Sequence, residues 1–371
     1  MNMMRPLPEF RKPAASYLNL TASAWSGLLR AWDLPRTRAL LRQAYLLGPL
    51  RSLAAWFQSL VVGRADLADV DVIFVLGFWR SGTTLLHELL AADDRFSYPS
   101  SYACFHPHHF LFTEKIATAR NNAVTRRPQD QMTTGWRTPQ EDEFALLCLG
   151  ARSPYEGLIA AGEFGSALKL ADPDELGERD RQRWVRAFGR FIATLRRANG
   201  GRPLVLKSPP HSYRVRALRR LLPKARFVVM VRNPFDIFES MMKTYRAFTL
   251  HYGLTPALAN RELREIILEE RLRCEEKLQL GLSGLGKDRL AIIRYEDLTA
   301  EPLGTVENLY RQFGLPDFEK VRPKLLQRNI RAGRPARPAA QPPPQWRDRV
   351  KADWSILFSR YGYDLEGLPL H

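Results

Sequence analysis

The chain has 371 residues, of which 45% are apolar and 26% are charged, values that are ordinary for a soluble globular protein. Lys and Arg outnumber Asp and Glu by 56 to 39, giving a net charge of +17. Such a charge attracts anions without choosing among phosphorylated cofactors, acidic glycans, nucleic acid and anionic membranes. The sequence shows no apolar signal core, no run of roughly 18 apolar residues and no cysteine spacing typical of a disulfide framework. These features favour a cytoplasmic enzyme.

The first 68 residues are predicted to form a helical extension that packs on the core of an α/β domain at 69–371. Within this extension, the segment 38–64 mixes Leu, Trp and Phe with arginines at loosely helical spacing. The pattern predicts an amphipathic helical hairpin packed on the core. The alternative is a peripheral contact with the cytoplasmic face of a membrane.

Short apolar segments alternate with helical segments along the rest of the chain. Their β-branched residues and their lack of polar alternation are typical of strands buried on both faces of a parallel sheet. The alternation predicts an α/β fold with a parallel, doubly wound sheet flanked by helices. A proline-rich loop at 334–345 precedes a last predicted helix at 346–361. The predicted strands cover 71–77, 202–208, 225–233 and 289–298.

A glycine-bounded turn lies between the first strand and a helix predicted at 83–92. Gly77 and Gly82 stand at the G-x-x-x-x-G spacing of a P-loop, and the backbone N–H groups of such a turn hold a phosphate. The lysine that reaches the β- and γ-phosphates of a nucleoside triphosphate is replaced by a threonine. The loop therefore suits a single phosphate that carries a less charged group. The side chains available to it are Arg80, Ser81, Thr83 and Thr84.

The stretch "GFWRSGTTLL", residues 77–86, resembles the 5′-phosphosulfate loop of sulfotransferases that use 3′-phosphoadenosine 5′-phosphosulfate (PAPS). The stretch "VRNPFDIFES", residues 231–240, resembles the second half of that signature, in which an Arg and a Ser hold the 3′-phosphate. "PQEDEFAL", "LVLKSPPH" and "IIRYEDL" are similar to further landmarks of the bacterial branch. The resemblance implies PAPS as donor, 3′-phosphoadenosine 5′-phosphate (PAP) as product, and the P-loop-like sulfotransferase fold. The cofactor-binding residues it assigns are Arg80, Ser81, Gly82, Thr83, Thr84, Leu85, Arg232 and Ser240.

By this resemblance, the reaction moves a sulfuryl group in line from the cofactor to an acceptor hydroxyl. Charge builds on the leaving phosphate, so catalysis needs positioning and cations at that point. Arg80 and the loop amides are expected to act at the 5′-phosphate. Lys207, at the end of the second strand, is expected to neutralise the bridging oxygen. No metal is required when protein cations take that role.

The general base that accepts the acceptor proton is left open by the sequence. Several relatives carry a Glu where this chain has Ser100 and Ser101. Cytosolic members of the family place a His where Pro209 stands. The candidates, in order of preference, are His106, Glu141, Glu143 and His211.

Two other classes of protein compete with this interpretation. A P-loop kinase or NTPase with a degenerate loop would use Asp297 as its magnesium ligand, but the missing lysine argues against it. A basic protein that binds nucleic acid or a membrane surface would need its cations gathered in one stripe or module, and the arginines are spread over the whole chain. Nucleic acid is therefore not an expected partner. The triplet His106, His108 and His109 lacks a fixed ligand spacing, so no metal is expected.

The acceptor is expected to be a small molecule, a carbohydrate, a lipid or a glycolipid. Aromatic side chains at 98–112, together with the N-terminal helices, are predicted to shape its pocket. Arg331 or Arg334 loosely resembles a basic segment of the family near the 3′-phosphate. The loop that carries them is expected to close over the cofactor with the last helix. No pattern indicates an oligomeric state.

Overall fold

The computed structural model describes residues 19–63, 66–120, 124–126, 133–327 and 341–370, with the backbone alone at 124–126 and at 133. Strands in these ranges form a central sheet and a separate antiparallel pair. The strands are β1 (Val72–Leu76), β2 (Val124–Arg126), β3 (Thr133–Gly135), β4 (Leu204–Lys207), β5 (Arg226–Val231) and β6 (Leu290–Arg294).

The central sheet has four parallel strands in the order β4-β1-β5-β6. β1 is buried along its whole length, and its alternate side chains belong to two different core clusters, one on each face. The chain runs from β1 outward to β4 and then returns to the other side of β1 for β5. Ligands of such sheets bind at the carboxyl ends of the strands where the winding reverses. The predicted parallel α/β fold is confirmed.

Helices pack around this sheet. The first nine are α1 (Ala22–Ala31), α2 (Arg38–Arg42), α3 (Gly48–Val62), α4 (Thr83–Leu90), α5 (Ser101–Phe105), α6 (Phe110–Arg120), α7 (Glu143–Cys148), α8 (Glu156–Ile159) and α9 (Phe164–Leu168). The next nine are α10 (Glu178–Ala198), α11 (Val215–Leu221), α12 (Pro234–Tyr252), α13 (Asn260–Leu282), α14 (Tyr295–Ala300), α15 (Pro302–Gln312), α16 (Phe318–Gln327), α17 (Pro344–Asp353) and α18 (Ser355–Tyr361).

The N-terminal region contains one continuous helical run where the sequence predicted a hairpin, so that prediction is wrong. α2, a π-helical turn at Gln43–Leu47 and α3 follow one another without a break. Pro49 has no N–H to donate, so one backbone hydrogen bond of the helical run is missing there. The π-helical turn that precedes it accommodates this missing bond. Gly48 keeps helical angles and packs closely on α1, because a Cβ there would lie 3.2 Å from the backbone of Ala22. We name this run, residues 38–62, the surface helix.

Two other predicted elements differ in their bounds or continuity. β6 stops at Arg294 and α14 begins at the next residue, so the strand predicted at 289–298 is shorter than expected. The last predicted helix is divided into α17 and α18 at Trp354, whose buried indole N–H donates to the carbonyl of Leu268 at 3.0 Å. Arg331, Arg334 and the first 18 residues lie outside the described ranges. No helix within those ranges is both long and apolar enough to cross a bilayer.

Candidate active site

The glycine-bounded turn between β1 and α4 is held in a conformation that only its glycines allow. Gly77 has φ +147° and Gly82 has φ +94°. A Cβ on Gly77 would lie 2.7 Å from the carbonyl oxygen of Met230, and one on Gly82 would collide with the ring of Tyr295. The N–H of Gly77 donates to Ser212 Oγ at 2.9 Å. The turn thus packs tightly against its surroundings and leads into α4, as a phosphate loop requires.

The two predicted anion sites adjoin each other in the fold. Arg80 Nε donates to Ser240 Oγ at 2.9 Å, and Arg232 Nη1 donates to the carbonyl oxygen of Arg80 at 3.3 Å. Arg80 itself has a φ of +71°, which is uncommon for a residue with a side chain. The carboxyl ends of β1 and β5 are neighbours in the sheet, and this adjacency brings the loop and α12 together.

Arg232 has the surroundings of an anion-binding arginine. Its Nη2 donates to Asp236 at 2.8 Å, and its guanidinium lies 4.5 Å from the centre of the Tyr295 ring. Its Nε is buried and has no hydrogen-bond partner among the described residues. A buried donor without a partner is costly, and a phosphate oxygen would satisfy it. The residues present therefore fit a second phosphate group.

Lys207, Glu141 and Thr84 converge beside the loop. Lys207 Nζ donates to Glu141 Oε1 at 2.7 Å and to Thr84 Oγ1 at 3.3 Å. Tyr155 donates its hydroxyl to the other oxygen of Glu141. Burial raises the pKa of the Tyr155 hydroxyl well above its usual range, and the charge of Glu141 adds to this effect. Tyr155 is thus held as a hydrogen-bond donor to the carboxylate.

A cavity of about 280 Å³ opens in front of these residues. Arg80, Thr84, Glu141 and Arg232 lie on its lining, so the loop and the carboxylate that pairs with Lys207 border the same space. The remaining wall is apolar and aromatic, which suits a ligand with a large hydrophobic part. The apolar wall is built by Phe144, Leu158, Phe164, Leu168, Met241 and Phe248.

Glu143 and His211 are placed in the core and do not line this cavity. Both are fully buried. Arg214 and Ser153 bind the carboxylate of Glu143, and Arg214 Nε also donates to His211 Nδ1 at 3.1 Å. The hydrogen-bond partners of Glu143 and His211 are thus other side chains buried in the core. The arrangement is that of a structural polar network.

Asp142 is a further acid of this network, and the sequence interpretation did not single it out. Its carboxylate lies 2.8 Å from His211 Nε2 and accepts a hydrogen bond from Ser208 Oγ at 2.8 Å. Burial favours the neutral form of the carboxyl, but the interactions of the carboxylate with His211, Arg214 and Ser208 outweigh it and lower the pKa of Asp142 to about 2. The network ties the segment that carries Glu141 to the end of β4, which carries Lys207.

His106, the first candidate for the base, also lies away from the cavity lining. It ends α5, and its Nδ1 is 3.2 Å from Asn19 Nδ2. Burial and the charges of His109 and Arg51 lower the pKa of His106 to about 4. The ring nitrogens of His106, His108 and His109 lie within 4.8 Å of one another, beside the positive charge of Arg51. Ser100, at the position where several relatives carry a Glu, caps α5 and donates to Glu114.

Asp297, the candidate magnesium ligand of the kinase interpretation, is also outside the cavity lining. Its carboxylate accepts from Arg294 Nε at 2.8 Å, and half of its side chain is exposed. Thr83 stands buried at the position of the P-loop lysine. The geometry around the loop therefore does not resemble a magnesium–triphosphate site.

Comparisons with known proteins identify relatives of this chain. The model of the family described as "Sulfotransferase family" matches residues 72–320. Curated relatives from Mycobacterium bovis and Mycobacterium tuberculosis are 33% identical over 324 residues, which cover 86% of this chain and 82% of each relative. Both relatives carry the name omega-hydroxy-beta-dihydromenaquinone-9 sulfotransferase Stf3.

Solved structures with a similar fold are also sulfotransferases. Sulfotransferase STF1 from Mycobacterium tuberculosis H37Rv has a TM-score of 0.66 at 20% identity, and the alignment covers 92% of this chain and 93% of that one. Sulfotransferase STF9 from Mycobacterium avium has a TM-score of 0.67 at 18% identity, covering 98% of this chain and all of that one. At such identities the likeness concerns the fold.

Proposed function

The chain belongs to the sulfotransferase family and is a sulfotransferase; we propose that it transfers the sulfuryl group of PAPS to a hydroxyl of a lipid acceptor. The observation that carries this proposal is the meeting of two adjoining anion sites with a largely apolar cavity at the Lys207–Glu141 pair. The polar side of the cavity suits the donor, and the apolar wall suits a lipophilic acceptor. The name of the relatives supports this choice, since it specifies a menaquinone-type acceptor with an omega-hydroxyl.

On the donor side, the backbone N–H groups of the loop and Arg80 would hold the 5′-phosphate, while Arg232 and Ser240 would hold the 3′-phosphate. When bound, PAPS supplies the sulfuryl group and an anionic leaving phosphate. Lys207 is held by Thr84 and Glu141 at the edge of the loop, where its ammonium can stabilise charge on the leaving oxygen. Cations fixed before the reaction need no reorganisation while this charge develops.

On the acceptor side, Glu141 is the favoured general base. It lines the cavity, whereas His106, Glu143 and His211 do not. Its carboxylate would accept the proton of the acceptor hydroxyl as the new S–O bond forms and the bond from sulfur to the donor phosphate breaks. Lys207 and Tyr155 fix the two carboxylate oxygens, so the base is oriented before the acceptor enters.

The test is incubation of the purified chain with ³⁵S-labelled PAPS and three acceptors: an omega-hydroxylated menaquinone-type lipid, the same lipid without the hydroxyl, and a neutral oligosaccharide. We expect label only in the hydroxylated lipid. Label in the oligosaccharide alone would contradict the lipid acceptor. Tight magnesium–ATP binding without binding of PAP would contradict the donor.

A further inference from the structure

The surface helix carries a wide apolar face that no other part of the described structure covers. Six large side chains on it are each more than half exposed: Leu46, Leu50, Leu53, Trp56, Phe57 and Leu60. We propose that this face docks on the surface of an anionic lipid bilayer.

The spacing of these residues gives the face its shape. They recur every three or four positions, so they fall on one side of the helix at about 100° per residue. From Leu46 to Leu60 the face is about 20 Å long at the helical rise of 1.5 Å per residue. Between residues 45 and 61 the one charged residue is Arg51, which is half-buried and donates to the carbonyl of Leu20 at 3.4 Å. The exposed side is therefore free of charge from Leu46 to Leu60.

A second helix extends this face. Phe112 and Ile116 on α6 are 43% and 57% exposed. The rings of Phe57 and Phe112 lie 6.1 Å apart, so the two helices present one continuous apolar surface. We name these two residues and the six of the surface helix together the apolar face. Isolated exposed leucines are common in globular proteins, whereas a contiguous patch of this kind marks an interaction site.

The opposite side of the surface helix is firmly attached to the domain. Gln58 is buried, donates to the carbonyl of Pro107 at 2.8 Å and accepts from the N–H of Leu111 at 3.1 Å. Ser52 accepts from the N–H of Ala22 at 3.0 Å. These contacts orient the helix and therefore aim the apolar face outward.

The charged residues around the apolar face favour a bilayer over a second copy of the chain as its binding partner. Arg38 and Arg42 are exposed in the turns that precede Leu46, and Lys115 is exposed next to Ile116. A second copy would carry the same overall net charge of +17, and this repulsion opposes association, whereas anionic headgroups would attract the chain. Tyr45 and Trp56, both exposed, are residue types that favour the boundary between lipid and water. An apolar face with cations at its margin is the pattern of a helix that lies in a bilayer surface.

Docking would hold the enzyme on the surface in which a lipid acceptor resides. This role rests on the proposed function, but the docking itself does not. Vesicle binding can be measured without donor or acceptor, and sulfuryl transfer can be measured with a short acceptor in detergent. A failure of one proposal is therefore distinguishable from a failure of the other.

The test is flotation of the full chain with vesicles of phosphatidylcholine alone or with phosphatidylglycerol added. We expect flotation with the anionic vesicles, weakened by salt, and at least a tenfold loss of bound protein in Leu53→Glu. Leu326→Glu is the matched control, because Leu326 is equally exposed on α16, outside the apolar face, and should float like the wild type. Circular dichroism and PAP binding verify that both variants are folded.

Three results would overturn the proposal. The first is equal flotation of wild type and Leu53→Glu, and the second is no flotation of either with anionic vesicles. The third is a dimer that forms without lipid and is lost in Leu53→Glu, which would assign the apolar face to a second copy.

Discussion

Lys207 Nζ lies 2.7 Å from Glu141 Oε1, at the point where the phosphate loop meets the apolar cavity. The lysine is almost completely buried, whereas 17% of the Glu141 side chain is exposed. The pair therefore directs an ammonium towards the loop and a carboxylate towards the cavity. Since the proposed reaction needs a cation at the leaving phosphate and a base at the acceptor, one ion pair fixes both groups. Their contributions should be separable by substitution.

We expect Glu141→Gln to lower turnover by about 10²- to 10⁴-fold, the usual contribution of a general base. The amide keeps the size of the side chain but cannot take up the proton of the acceptor. Affinity for PAP, measured by calorimetry, should be unchanged because Glu141 does not belong to the anion sites. Glu163→Gln, the same change on an exposed carboxylate, is the control. Full turnover in Glu141→Gln would remove it as the base.

Lys207→Met should lower turnover by about 10²- to 10³-fold, as expected for the loss of one group that stabilises charge in the transition state. The thioether keeps much of the buried stem but removes the ammonium. The double variant with Glu141→Gln should lose less than the product of the two single losses, because the groups are in contact and serve one step. Strictly multiplicative losses would contradict a shared role.

Glu143→Gln should affect stability more than chemistry. Arg214 is buried with Glu143, and removing one charge of a buried pair costs about 3–5 kcal/mol. We expect the free energy of unfolding in urea to fall by that order, while the folded fraction keeps its turnover per molecule. A folded variant with a turnover loss as large as that of Glu141→Gln would place the base at Glu143.

Arg232→Ala should weaken PAP binding by about 10- to 100-fold, since a hydrogen bond to a charged group contributes about 1.5–3 kcal/mol. Isothermal calorimetry with PAP measures this effect without any acceptor. Arg294→Ala is a matched control, because Arg294 ends β6, just as Arg232 directly follows β5, but it pairs with Asp297 outside the cavity. Equal affinity in wild type and Arg232→Ala would show that the second phosphate binds elsewhere.

Local signals explain why the fold was predictable. Apolar runs gave the four sheet strands. Asn233 followed by Pro234 is a typical helix start, and Asn233 Oδ1 indeed accepts from the N–H of Phe235 at 2.9 Å at the beginning of α12. The continuity of the surface helix was not predictable, because a Gly-Pro pair ordinarily ends a helix. A π-helical turn and the close contact of Gly48 with α1 override that preference.

The candidate site was predictable where a residue sits in a phosphate motif and less so elsewhere. Glu141, Asp142 and Glu143 are consecutive acids, and the start of α7 between them turns one towards the cavity and two into the core. Glu143 is held in the core by its ion pair with Arg214, which lies 71 residues away in the sequence, so a local pattern does not reveal which acid faces the cavity. Tyr155 lines the cavity but belongs to no recognised motif, whereas Tyr295, which also lines it, lies within the "IIRYEDL" segment without a role that the sequence assigns.

The stability of the protein should decrease with acid because of His87. Burial and the nearby charge of Lys207 lower the pKa of His87 to about 3, below its ordinary value of 6.5. Between these two values the unfolded chain binds a proton that the folded chain excludes, so the free energy of unfolding falls as the pH falls from 6.5 towards 3. This single group contributes a slope of unfolding free energy against pH that reaches about 1.4 kcal/mol per pH unit.

Urea unfolding at pH 7.5, 6 and 5 should show this slope reduced by that amount in His87→Leu. His251→Leu, on the exposed end of α12, should keep the wild-type slope. An unchanged slope in His87→Leu would mean that His87 takes up its proton in the folded protein as well.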